Sequence, residues 1–448
     1  MNWKEFLKKH KLNEGQLVKI DNGTEEFIGN IIPSSDFDKG ILRLKLNSGY
    51  NIGIKISDKL KVEKLEGSKK VGKAKPAKLT VDKSLPNISL LQIGGTISSR
   101  VDYNTGAVTA GFSPEDLLSM YPELEKTANF RSRLVSSIFS GDMRFANYKP
   151  IVDAIKEEIK KGDIKGIILP HGTDTMGYTS AMLAFMIENP PIPIILVGSQ
   201  RSSDRGSTDA FMNLLCATEF INKTDFTGVG ICMHHTSEDR ECVILPACKS
   251  RKLHTSRRDA FKAINTTPIA TIDFKTRKIK FIEKNYQKFD KSKKTEFKTK
   301  IEEKVALVKI HPNFSAEQLE VFKTKKYKGL VIEGTGLGHL PVQVTNPESK
   351  PNAENLKMIE DLVKGGCTVV MTSQCIFGRV QMHVYGYGVK LSNVGVIAGE
   401  DMLPETAFIK LAWVLGNYPK EKVKELMTTN LRGEINERIN YEKDVLAE

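Results

Sequence analysis

Lys165-Gly166-Ile167-Ile168-Leu169-Pro170 is a short apolar run that reads as a buried strand, and it ends in His171-Gly172-Thr173-Asp174-Thr175-Met176. A parallel α/β sheet presents its ligand site at the carboxyl ends of its strands, so this run delivers hydroxyls and a carboxylate to such a site. A second delivery comes earlier, where Ile88-Ser89-Leu90-Leu91-Gln92-Ile93 closes in Gly94-Gly95-Thr96-Ile97. Either motif alone also suits a tight strand-to-helix turn. The two together present a pair of threonines as candidate nucleophiles.

The rest of the chain fits that frame. From about residue 86, strand-like runs alternate with helix-like ones. Ile151, Ile155 and Ile159 share a helical face, and Pro193-Ile194-Ile195-Leu196-Val197-Gly198-Ser199 reads as another buried strand. This alternation predicts a parallel sheet with helices on both faces. At 448 residues the chain exceeds one ordinary core, which predicts several domains. Residues 1–65 read as a small β-barrel: alternating runs at 16–20, 26–32, 41–46 and 51–56, with turns at Asn22-Gly23 and Asn47-Ser48-Gly49. Residues 66–85 are Lys-rich and poor in large apolar side chains and read as a linker. Residues 86–285 form the larger α/β domain, the charged stretch 286–304 a second linker, and 305–448 a smaller α/β domain whose strands lie at 305–310, 329–332 and 368–371.

Composition excludes some classes. No run of 18 apolar residues suggests a membrane helix, and Met1-Asn2-Trp3-Lys4-Glu5-Phe6 lacks a signal-peptide core, so a cytoplasmic protein without a membrane partner is expected. The six cysteines form no Cys-x-x-Cys pair, and most of them sit in or near apolar runs and read as reduced core residues. His234, His235, Cys242 and Cys248 match no standard zinc spacing, so no metal site is expected. A formal charge of +13 suits a polyanionic partner and equally suits solvated lysine faces.

A threonine hydroxyl needs a base before it can attack. His171 sits on the entry turn and reads as structural. A partly buried lysine oriented by a carboxylate would serve instead, giving a Thr–Lys–Asp variant of the nucleophile–base–orienter arrangement.

Gly-Gly-Thr-Ile followed by His-Gly-Thr-Asp-Thr resembles the paired signatures of the bacterial-type L-asparaginase family. The resemblance implies an asparaginase-like two-domain α/β parallel-sheet fold, here preceded by the small β-barrel. It implies catalytic roles for Thr96, Thr173 and Asp174, and for a lysine nine residues before a phenylalanine. Lys252, in Lys252-Leu253-His254-Thr255-Ser256-Arg257-Arg258-Asp259-Ala260-Phe261, fits that spacing, and Lys249 is its nearest competitor. Ser140, three residues before Met143, matches a serine that contacts the α-amino-acid end of the substrate. Gly95 and Gly172 join it as substrate-side positions. Family members also place a tyrosine after the first threonine. Tyr103 is closer to Thr96 than in many members, and it either fills that role on a rearranged loop or is a loop aromatic. The implied chemistry is hydrolysis of the side-chain amide of L-glutamine or L-asparagine through an acyl-enzyme, with backbone N–H groups holding the oxyanion. Either threonine can be the nucleophile; Thr96 is favoured, with Thr173, Lys252 and Asp174 as its relay.

A plain asparaginase needs only the two α/β domains. With the front module, and with Glu333-Gly334-Thr335-Gly336-Leu337-Gly338-His339, Thr372-Ser373-Gln374-Cys375 and Leu403-Pro404-Glu405-Thr406, the chain resembles the GatD family of archaeal glutamyl-tRNA(Gln) amidotransferases. That resemblance implies ammonia release for the conversion of Glu-tRNA(Gln) to Gln-tRNA(Gln). It also implies a homodimeric core within a heterotetramer, and a GatE-like partner that makes most of the tRNA contact and carries ATP and magnesium. No cofactor is expected on this chain, which has no Gly-x-x-x-x-Gly-Lys-Ser/Thr loop. A stand-alone asparaginase with an accessory domain, and a non-enzymatic RNA-binding protein on the same fold, are the other readings.

Overall fold

The computed structural model describes residues 2–32, 40–46, 51–65, 82–101, 108–110, 113–203 and 208–439. Tyr103 and nearly all of the lysine-rich stretch after residue 65 lie outside them.

The front module opens with helix Trp3–Lys9. Asn2 accepts from the Glu5 N–H at 2.8 Å while the Glu5 carboxylate accepts from the Asn2 N–H at 2.9 Å, which satisfies two orphan donors reciprocally. Trp3, Phe6 and Leu7 of this helix join Val18, Ile20, Ile31, Leu42 and Leu44 in a small core of their own. The strands run Asn51–Lys55, Ile41–Leu46, Glu26–Ile32, Leu17–Asp21, Lys61–Lys64 across a five-stranded sheet, every pair antiparallel. The expected small barrel is thus, among the described residues, a sheet whose two outer strands share no ladder. Its fifth strand is Lys-Val-Glu-Lys, too polar to register as alternation.

The larger α/β domain is built on an eight-stranded sheet in the order Ile279–Phe281, Ala270–Asp273, Glu241–Pro246, Gly228–His234, Pro193–Val197, Gly166–Pro170, Asn87–Gly94, Asn129–Ile138. The last five strands of that order are parallel to one another. The other three are added antiparallel, so the expected parallel sheet is a mixed one. The reason is local: only six residues separate His234 from Glu241, enough for a hairpin and too few for a parallel crossover. Helices Tyr148–Lys161, Met176–Met186 and Ala210–Lys223 cover the sheet. Ile151 and Ile155 are fully enclosed and Ile159 packs against the same core.

The C-terminal domain carries four parallel strands ordered Val305–Lys309, Gly329–Gly334, Thr368–Ser373, Ile397–Ala398. Its helix Pro404–Asn417 packs on Met176–Met186, and the Phe185 and Trp413 rings stack 5.4 Å apart. One apolar core therefore runs through both domains. The charged connection before Val305 is held rather than loose. Glu296–Phe297 pairs antiparallel with Ile187–Glu188, and the Trp413 Nε1–H donates to Lys298 O at 2.9 Å.

Buried polar groups close the contact between the domains. Lys249 Nζ lies 2.6 Å from Asp401 Oδ2, with both side chains enclosed, and burial pulls the lysine pKa down. The other Asp401 oxygen accepts from Asn436 N at 3.0 Å. Asn265, at φ 58°, donates to Gly378 O and Asp401 O and accepts from Gly378 N. Removing one partner of such a pair leaves an uncompensated interior charge. Lys249→Met is therefore expected to lower unfolding stability by about 3 kcal/mol, measured as a shift in the urea midpoint. An unchanged midpoint would show that the pair contributes nothing.

Candidate active site

The site is assembled where three neighbouring strands end. His171 continues the Gly166–Pro170 strand, and its N–H donates to Val197 O at 2.9 Å. Its ring is enclosed: Nδ1–H donates to Gly172 O at 2.7 Å, and Nε2 accepts from the Thr179 hydroxyl at 3.0 Å. Burial pushes the His171 pKa down to about 4, so the ring is neutral and serves to shape the turn. Thr173 follows, nearly buried, and helix Met176–Met186 begins three residues later.

Two glycines let the neighbouring strand end come close. Gly95 has φ 88°, and a Cβ there would overlap Gly172 N and Cα. A Cβ on Gly172 would in turn overlap Oγ and Cβ of Ser140. Ser140 is buried, and its carbonyl accepts from the Thr175 hydroxyl at 2.8 Å. Thr96 opens a single 3-10 turn, Thr96–Ser98, anchored by the buried Ile97 and by Ser99 Oγ donating to Gly95 O at 2.7 Å. Four of the positions singled out in the sequence, Gly95, Gly172, Thr173 and Ser140, thus share one small volume, and Thr96 is bonded directly to it.

Lys252 arrives from a separate hairpin in which Ser250–Lys252 pairs antiparallel with Phe261–Ala263. Lys252 is opposite Phe261 in that register, so the nine-residue spacing is the span of the hairpin closed by a buried aromatic. Lys252 Nζ is 2.8 Å from Thr173 Oγ1 and 2.9 Å from Asp174 Oδ1. Asp174 is 53% exposed and Lys252 15%, so the pair opens toward solvent on the carboxylate side. Lys249 is elsewhere, spent on Asp401.

Gln200 is a site residue that no sequence motif marks. It leaves the Pro193–Val197 strand, which neighbours Gly166–Pro170, and its Oε1 stands 3.5 Å from Thr173 Oγ1. Adjacency of the two strands is the missing signal, since both end at the same level. His234 is taken up by Asn213 at 2.7 Å and Asp239 at 3.2 Å, and among the described residues no three His, Cys, Asp or Glu side chains gather as metal ligands.

Together these features define an amidohydrolase of the asparaginase/glutaminase class. Residues 87–287 match the N-terminal asparaginase family and 304–427 the glutaminase/asparaginase C-terminal domain. The thermostable L-asparaginase of Thermococcus kodakarensis superposes with a TM-score of 0.68 at 29% identity, covering 78% of this chain and 99% of that one. L-asparaginase I of Vibrio cholerae gives 0.67 at 27% identity, covering 79% and 99%. Those structures leave about a fifth of the chain unmatched, and residues 12–65 match the GatD N-terminal domain. GatD, the glutamyl-tRNA(Gln) amidotransferase component, of Pyrococcus abyssi is 44% identical over 438 residues, 96% of this chain and 97% of its own length. GatD of Methanococcus maripaludis is 43% identical over 434 residues, 96% and 99%. The chain belongs to the GatD family of glutamyl-tRNA(Gln) amidotransferases.

The buried imidazole has a pH consequence. His171 binds a proton less readily folded, at about 4, than its ordinary value of 6.5. Its contribution to stability is full above about 6.5 and is lost as pH falls from there toward 4. Urea unfolding between pH 7 and 5 is expected to show stability falling with acid in the wild type and a flatter profile in His171→Gln. Identical slopes would remove His171 as the cause.

Proposed function

We propose that this chain releases ammonia from the side-chain amide of L-glutamine or L-asparagine, and that the ammonia converts Glu-tRNA(Gln) to Gln-tRNA(Gln). The observation that carries the reading is Lys252 Nζ placed between Thr173 Oγ1 and Asp174 Oδ1 at the mouth of the Gly95–Gly172 turn pair. In its neutral form Lys252 takes the Thr173 hydroxyl proton, and Thr173 takes that of Thr96. The Thr96 oxygen then bonds to the amide carbon. Return of the proton to nitrogen lets the C–N bond break and ammonia leave, and water cleaves the resulting ester to the free acid. Ser140 and the turn glycines Gly95 and Gly172 line the substrate side. Asp174 orients the lysine, and backbone N–H groups at the turns hold the oxyanion. Tyr103 is kept as a substrate-side position on the family resemblance alone.

Two observations favour this over a stand-alone asparaginase. The front module matches the GatD N-terminal domain, and the curated relatives share nearly the whole length. In this reading a GatE-like subunit in the cytoplasm binds the tRNA and supplies ATP and magnesium. This chain forms the homodimeric core of a heterotetramer and carries no cofactor of its own.

Thr96→Ala, Thr173→Ala and Lys252→Ala are each expected to cut glutaminase kcat by at least about a hundredfold with little change in melting temperature. Full activity in all three folded variants would remove the site. Co-expression with a GatE-like subunit, followed by a glutaminase assay with and without Glu-tRNA(Gln) and ATP, tests the purpose. Ammonia release is expected to rise at least about tenfold with both present. Full activity of the chain alone would favour the stand-alone enzyme.

A further inference from the structure

Gln200 is held more firmly than a bystander requires. Its backbone N–H donates to both carboxylate oxygens of Asp209 at 3.0 Å, and the next N–H, of Arg201, donates to Asp209 Oδ1 at 3.1 Å. Asp209 is itself enclosed, and burial raises its carboxyl pKa. The backbone just before Gln200 is clamped as well: Gly198 O accepts from Asn213 Nδ2 at 3.0 Å, and Asn213 Oδ1 is engaged by His234. A Cβ on Gly198 would come within 2.8 Å of Thr173 Cγ2, so this main chain lies directly against the catalytic threonine.

Its two polar atoms are in different states. Oε1 receives the Thr173 hydroxyl at 3.5 Å, a long hydrogen bond that a closer acceptor would displace. Nε2 is buried and has no hydrogen-bond partner among the described residues. A buried amide donor without a partner carries the cost of its lost hydration. An unpaired donor at a site that binds amides is satisfied when a carbonyl oxygen arrives. Thr173 meanwhile accepts from Lys252 through Oγ1, so its own hydrogen has Gln200 Oε1 as its acceptor while the site is empty.

We propose that Gln200 is a substrate-reading residue: its Nε2 donates to the side-chain carboxamide oxygen of the bound amide donor, and its Oε1 sets the Thr173 hydroxyl until that donor is in place. This rests on the amidohydrolase reading above. A neutral carboxamide supplies a donor and an acceptor side by side, and a thioether of similar length supplies neither. An ionised carboxylate supplies acceptors alone and repels a substrate oxygen.

Steady-state glutaminase kinetics on the full chain, in whatever assembly gives wild-type activity, tests this with Gln200→Met and Gln200→Glu. Gln200→Met is expected to melt near the wild-type temperature and to raise KM about tenfold or more. In Gln200→Glu the ratio of variant to wild-type kcat/KM is expected to climb as pH falls, because a protonated carboxyl regains a donor. A merely structural role would leave this ratio flat with pH. If Gln200→Met does not fold, the pH arm decides alone. Wild-type KM in Gln200→Met, or a flat ratio in Gln200→Glu, overturns the proposal. Thr173→Ala separates the two claims. If it is inactive while the Gln200 variants behave as wild type, only the Gln200 role fails; if it retains full activity, the site itself is misassigned.

Discussion

The near-collision of two backbone turns organises the site. A methyl group on Gly95 would overlap the Gly172 backbone, and one on Gly172 would overlap the Ser140 side chain. That contact fixes the distance between the strand ending at Gly94 and the strand ending at Pro170, and with it the relation between the segments bearing Thr96 and Thr173. A side chain at Gly95 would push the two strand ends apart, and one at Gly172 would displace Ser140. Gly95 adds a second requirement, since its φ of 88° is strained for any residue with a side chain.

The second constraint is the contact between the domains. Lys410 and Glu434 form a fully enclosed ion pair at 2.6 Å, and Glu434 also accepts from the Leu431 and Arg432 N–H groups. Arg432 then donates to Ala184 O at 2.9 Å, so the C-terminal segment reaches back to the helix that follows Thr173. Each buried charge has more than one partner, which is the condition under which an interior ion pair is tolerated. The result is geometric: the base of the Lys252 hairpin and the helix behind Thr173 are braced by the same C-terminal domain.

Much of this is legible in the residues, for identifiable reasons. Strand-end threonines are readable because Ile167–Leu169 is an unbroken apolar run and Leu90–Ile93 is interrupted only by Gln92, each with glycine close to its end. Lys252 is reached only through the family resemblance, and its nine-residue spacing to Phe261 is a hairpin register in the structure. The antiparallel half of the large sheet is not readable from alternation of elements, which says which segments are strands and not which way they run. Gln200 escapes because strand order in space, not order in sequence, sets it beside Thr173. The strand Lys61–Lys64 escapes because a half-exposed edge needs only one apolar residue, here Val62.

The two lysines that bracket one turn of backbone show how environment divides labour. Lys249 and Lys252 are three residues apart, both paired to an aspartate at hydrogen-bond distance. Asp401 is fully enclosed and meets its lysine with no competing water, so that pair is committed to holding two domains together. Asp174 is more than half exposed, and solvent screens most of its hold on Lys252. A lysine gripped as Lys249 is could not change partners without leaving a buried charge behind. Lys252 instead meets a half-exposed carboxylate on one side and the nearly dry Thr173 on the other, the side toward which the proposed relay runs.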